Sequence, residues 1–178
     1  MHALLGRITD LTERFTRLQM ERIGPALARP GHIMLSAAGA TGFSISDDNI
    51  VMVGPELYET VAVPYNNRLS AAFGGLAVHS CGNYERQLPA LLKTEGLAYV
   101  DGAFTREGDP NPNTEFELFR DSLKGTGVVL QARMGSDWQA TLKRLYHPEL
   151  RLVAVVPGVG VAGQAREEVF SRALGECV

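Results

Sequence analysis

From His32 onward the chain alternates short apolar runs with segments of helical period, and that alternation restricts it to parallel βα units. Leu76–Ser80, Leu97–Val100, Val128–Ala132 and Leu150–Val156 are the plainest runs. A continuous run of four to seven apolar-rich residues is what a strand buried on both faces shows. An earlier strand is expected in HIMLSAAGATGFSIS, running into a loop of small residues. Helices are expected between the runs: residues 55–73, split or kinked at Pro64, then Glu85–Glu95 closed by Gly96. Others follow at Thr114–Leu123, at Ser136–Tyr146, and after the glycine-rich PGVGVAG as far as Gly175.

Ahead of these units, residues 3–28 carry Leu4, Leu5, Ile8, Leu11, Phe15, Leu18 and Ile23 at near-helical spacing. This predicts an amphipathic helix closed by Pro25 and by Pro30–Gly31. The division expected is therefore residues 1–30 as a leading helix and 31–178 as one βα domain. Five βα units fall short of an eight-stranded barrel, which takes about 250 residues. The fold class is thus α/β, an open sheet or a partial TIM-like barrel of about five strands. Such a part would be completed by a second copy or by another chain.

The net charge of -3 and the lack of a Lys/Arg run argue against a nucleic-acid surface. Two cysteines, Cys81 and Cys177, are too few for a disulfide-stapled secreted domain. The amino-terminal residues lack a continuous apolar stretch, since Arg7, Asp10, Glu13 and Arg14 interrupt them. No run is long enough to cross a bilayer. The expectation is a cytoplasmic protein without membrane or nucleic-acid partners.

Chemistry in βα folds collects at the carboxyl ends of the strands. There the chain has His79–Ser80–Cys81–Gly82. Residues at i and i+2 of a strand point the same way, so imidazole and thiol can share a target. Both suit Zn²⁺, although a catalytic zinc takes three protein ligands. Gly82 permits a sharp turn or close approach to a ligand. By spacing alone a buried thiol and a satisfied core histidine explain the pair as well. Asp47 and Asp48 follow the first strand as candidate acid/base groups or ligands, with a turn-forming role as the alternative. Asp101 sits at the end of the third run with the same two readings. Gln131 and Arg133 share a strand face, and Arg133 can clamp a carboxylate. Tyr65, on the split helix, is a candidate hydrogen-bonding partner of a ligand. Pro157–Gly163 offers backbone for close approach, and Cys177 is not recruited.

The segment SDDNIVMVGPELYETVAVPYNNRLSAAFGGLAVHSCGN resembles the superfamily of uroporphyrinogen decarboxylases and corrinoid-dependent methyltransferases. Members carry a similar acidic turn, a Pro-Glu helix ending in Pro-Tyr, and a strand finishing in an H-x-C-G-like motif. The order downstream, ALLKTEGLAYVDGA, GVVLQARMG and PGVGV, is similar too. The resemblance covers about residues 40–170 and implies the carboxyl-terminal half of a (β/α)₈ barrel. It implies either decarboxylation of a tetrapyrrole, without metal, or zinc-assisted methyl transfer involving a corrinoid. In the second case His79 and Cys81 match the first two zinc ligands. The third, a cysteine, would fall near Pro157–Val161, where this chain has PGVGV; Asp47, Asp48 or Asp101 would have to supply an oxygen instead. The partners implied are a small molecule or corrinoid protein, together with a second copy or a complementing amino-terminal half-barrel. The alternative is a non-catalytic binding or assembly module.

Overall fold

The computed structural model describes residues 1–156 and Gly175. The glycine-rich loop, the last helix up to Gly175, and Cys177 lie outside them. Within the described residues, helix α1 (His2–Ile23) is followed by two two-residue strands, β1 (Ala28–Arg29) and β2 (Ala37–Ala38), paired antiparallel. The βα series then runs β3 (Phe43–Ser46), α2 (Pro55–Val61), α3 (Val63–Phe73), β4 (Leu76–His79), α4 (Leu88–Leu91) and β5 (Leu97–Ala103). It continues through α5 (Phe116–Leu123), β6 (Val129–Arg133), α6 (Trp138–Leu145) and β7 (Arg151–Val155).

The five strands β3 to β7 are all parallel and lie in the order of the sequence. Parallel crossovers are right-handed, so sequential order without reversal puts every connecting helix on one face. That is the winding of a barrel segment, not of a doubly wound sheet, whose strand order reverses. Register separates the faces. Ile45, Val78, Val100, Leu130 and Leu152 form one row across the sheet. The central three are essentially inaccessible and join a core with Phe73, Leu91, Phe119, Leu123 and Leu142. The next row, Ser46, His79, Asp101, Gln131 and Val153, points to the opposite, concave face.

Several boundaries differ from expectation for local reasons. Helix α1 stops at Ile23, because Gly24 takes a positive φ of 68° and opens the 3₁₀ turn Gly24–Ala26 that contains Pro25. The first strand of the sheet is Phe43–Ser46; His32–Leu35 forms turns instead. Pro64 does divide residues 55–73, with the break at Ala62. The segment after β4 holds a 3₁₀ turn and only one turn of α-helix, Leu88–Leu91. Helix α5 starts at Phe116 because Glu85, from another loop, accepts the Thr114 and Glu115 amides with its Oε1. Two glycines let β4 and β5 begin close together: Gly75, at φ 128°, would place a Cβ 3.4 Å from the Gly96 carbonyl.

Helix α1 packs on α3 with its polar side. Thr9 and Thr16 are its buried residues, while Leu4, Leu11 and Phe15 are exposed. Arg68 of α3 holds it through ion pairs to Asp10 and Glu13. No helix among the described residues is long and apolar enough to cross a membrane.

Candidate functional site

The strand ends bring together most of the residues that the sequence singles out. Asp101, on the central strand β5, is fully buried and serves as the hub. Its Oδ2 lies 2.6 Å from His79 Nδ1 and accepts from Arg133 Nε at 3.1 Å. Its Oδ1 accepts from Gln131 Nε2 at 3.0 Å. Tyr84 donates its hydroxyl to the Asp101 carbonyl at 2.8 Å. These contacts follow from register, since His79, Asp101 and Gln131 are laterally paired on three adjacent strands.

An ionised carboxylate only accepts, so His79 Nδ1 carries the proton that it shares with Asp101. In the neutral ring Nε2 is then left with its lone pair. Nε2 stands 3.5 Å from Cys81 Sγ and 3.8 Å from Asp48 Oδ1. Asp48 is fixed by the Cys81 amide, which donates to Oδ1 at 2.7 Å, and by the Ser46 hydroxyl on Oδ2. The Cys81 amide contributes most to holding the Asp48 carboxyl below the usual range. Burial, and then the neighbouring Asp48, push the Cys81 thiol up. Gly82, at φ 80°, donates its amide to Asp109 Oδ2 at 2.9 Å, and a Cβ there would press on Val51 at 3.2 Å.

Arg133 spends its guanidinium inside the protein. Nε meets Asp101, Nη1 donates to the Gly108 carbonyl at 3.0 Å, and Nη2 donates to the Ser80 carbonyl at 3.1 Å. It thus ties the loop after β5 to the turn after β4. Gln131 does similar work on the concave face, donating to the Ile33 carbonyl and accepting the Leu35 amide. That pins the His32–Leu35 turn over the sheet, and the His32 ring lies edge-on to His79 with centroids 5.0 Å apart.

Asp47 and Tyr65 stand apart from this cluster. Asp47 accepts the Tyr58 hydroxyl at 2.8 Å, and Asn66 donates to Tyr58 in turn. Burial raises the Asp47 carboxyl. These residues line a cavity of about 500 Å³ between α1, β3, α2 and α3. Tyr65 donates its hydroxyl to the His2 carbonyl of α1 at 2.9 Å. Sequence reasoning passed over His32, Tyr58, Tyr84 and Asp109. Asp109 carried a signal, since DPNPN is a turn-forming run; the two tyrosines carried none beyond helical or loop position.

Among the described residues, Asp48, His79 and Cys81 form one group whose ligand atoms all lie within 4.8 Å of one another. Tetrahedral zinc, with Zn–N and Zn–S of about 2.0–2.1 and 2.3 Å, places N and S roughly 3.6 Å apart. The 3.5 Å between Nε2 and Sγ fits that, and the oxygen, nitrogen and sulfur donors are ligand types zinc accepts. Fold and cluster together define a parallel βα barrel segment with a His–Cys–Asp group at its strand ends. The chain matches no protein-family model and no solved structure.

Proposed function

We propose that the protein is a zinc enzyme of the corrinoid-dependent methyltransferase kind within the uroporphyrinogen decarboxylase superfamily, with His79, Cys81 and Asp48 as metal ligands. One observation carries this reading. A buried carboxylate, Asp101, holds His79 by Nδ1 and turns Nε2 onto Cys81 Sγ at 3.5 Å. Carboxylate–histidine pairs of this kind orient metal-ligating imidazoles. In this reading Asp48 supplies the third ligand in place of the cysteine that the resemblance implies.

Zinc bound there would lower the pKa of a substrate thiol and hold the thiolate toward a methyl donor. The chain's own residues prepare that site. Asp101 fixes the His79 ring and its tautomer. Arg133 and Gln131 hold Asp101 in turn, from the neighbouring strand. Asp48 and Cys81 are exposed, which gives a substrate thiol access from solvent. The methyl donor is a corrinoid presented by another protein. Decarboxylation of a tetrapyrrole is less well served, because each nitrogen of Arg133 already donates to the protein.

Purification without chelator followed by metal analysis tests the proposal. The expected result is one zinc per chain, with affinity falling at least about a hundredfold in His79→Ala and Cys81→Ala. Cobalt(II) loading should give thiolate-to-metal absorption that Cys81→Ser abolishes. Wild-type protein that takes up no zinc, or variants that bind it as tightly, would overturn the assignment.

A further inference from the structure

We propose that α1 is a dimerisation helix, whose exposed apolar seam pairs in parallel with the same helix of a second copy of this chain. The seam is Met1, Leu4, Ile8, Leu11, Phe15 and Leu18, spaced alternately by three and four residues. That is the a/d repeat of a two-stranded coiled coil, not the broader stripe of a helix packed on a globular core. All six are exposed, from 46% at Leu18 to 76% at Met1. The side of α1 turned to the body is centred on Thr9, Thr16 and Met20, although Met1 and Ile8 at the edge of the seam also border the cavity between α1 and the body. The ion pairs from Arg68 hold α1 on that side and leave the seam outward.

Three features select a second copy in parallel. Every d position, Leu4, Leu11 and Leu18, is leucine, and of the a positions Met1, Ile8 and Phe15 the central one matches the β-branched a and leucine d pattern of parallel two-stranded coils. In parallel register the flanking Arg7 and Arg14 face Thr12 and Gln19 of the second copy, with no charge conflict. In the antiparallel register that overlaps all six seam residues, Arg7 would face Arg14 of the second copy twice. A pairing helix covers only part of what these six residues expose, so the contact is smaller than the about 800 Å² per partner of a standard interface and is expected to hold at micromolar concentration. A twofold axis along the seam makes the contact closed and self-complementary.

Light scattering and sedimentation of the full chain at micromolar concentration test this. A discrete dimer is expected, and Leu11→Glu with Phe15→Glu should raise its Kd at least about a hundredfold while leaving the circular dichroism unchanged. Leu18→Cys, in a chain also carrying Cys81→Ser and Cys177→Ser, should cross-link to itself on mild oxidation, because only parallel pairing brings residue 18 to its own equivalent. A monomeric wild type, a dimer indifferent to the double substitution, polydisperse aggregates, or no self-cross-link would each overturn the proposal.

Discussion

At the scale of single residues, the concave face is organised by one buried charge. Asp101 has three side-chain partners, His79, Gln131 and Arg133, all on neighbouring strands. Asp101→Asn keeps the shape but leaves Arg133 without its counter-charge. Stability should fall by about 3–5 kcal/mol in urea unfolding, the usual result of breaking a buried pair. If His79 is the zinc ligand proposed above, zinc affinity in the same variant should fall about 10- to 100-fold, because the carboxylate behind it is lost. Asp47 gives the opposite case. Burial raises its carboxyl, so the folded state takes up a proton more readily than the unfolded chain. Folding is then favoured at low pH and penalised as pH rises through the raised value. Asp47→Asn keeps an acceptor for Tyr58 and removes the penalty. Its Tm should exceed that of wild type at pH 7, and the gap should close below about pH 3.9, where both states of the wild type are protonated. His79, Cys81, Asp101, Gln131 and Arg133 were all legible in the sequence as strand-end polar residues. Their mutual contacts were not, because lateral pairing depends on register between strands separated by whole helices.

Among the elements, the sheet starts are as constrained as its ends. Gly96, at φ 66°, lies where a Cβ would approach Ser70 Oγ to 2.5 Å. Gly96→Ala therefore adds left-handed strain to a clash and should cost about 1–3 kcal/mol, measured by chemical denaturation. The glycine was legible as a helix stop, yet its closeness to α3 was not, since the helix it was expected to close shrank to Leu88–Leu91. The break at Pro64 was legible outright, because proline cannot donate the helical hydrogen bond at its own position. The start of α5 was not, as the carboxylate that caps it comes from Glu85, roughly a helix and a strand away in the chain. Helix α1 shows the same limit. Its amphipathic spacing was plain, but spacing does not say which side meets the body, and here the threonines do.

For the whole molecule, zinc binding to the strand-end cluster ought to couple to global stability. With free zinc at a hundredfold excess over Kd the folded state gains about 2.7 kcal/mol. For a chain of this length that is a Tm rise of roughly 5–10 °C, reversed by chelator and absent in Cys81→Ser. An unchanged Tm would argue against a metal held by the native fold alone. The sequence by itself determined the parallel βα class, the leading helix, and the polar residues that gather at the strand ends. Those follow from local rules: apolar runs, helical period, and prolines and glycines that end elements. Only the tertiary structure decided that Asp48 and not Asp47 joins His79 and Cys81, that Arg133 is spent on Asp101, and that the apolar side of α1 faces outward. Each of those is a choice between two faces, and a face is set by what packs against it from distant parts of the chain.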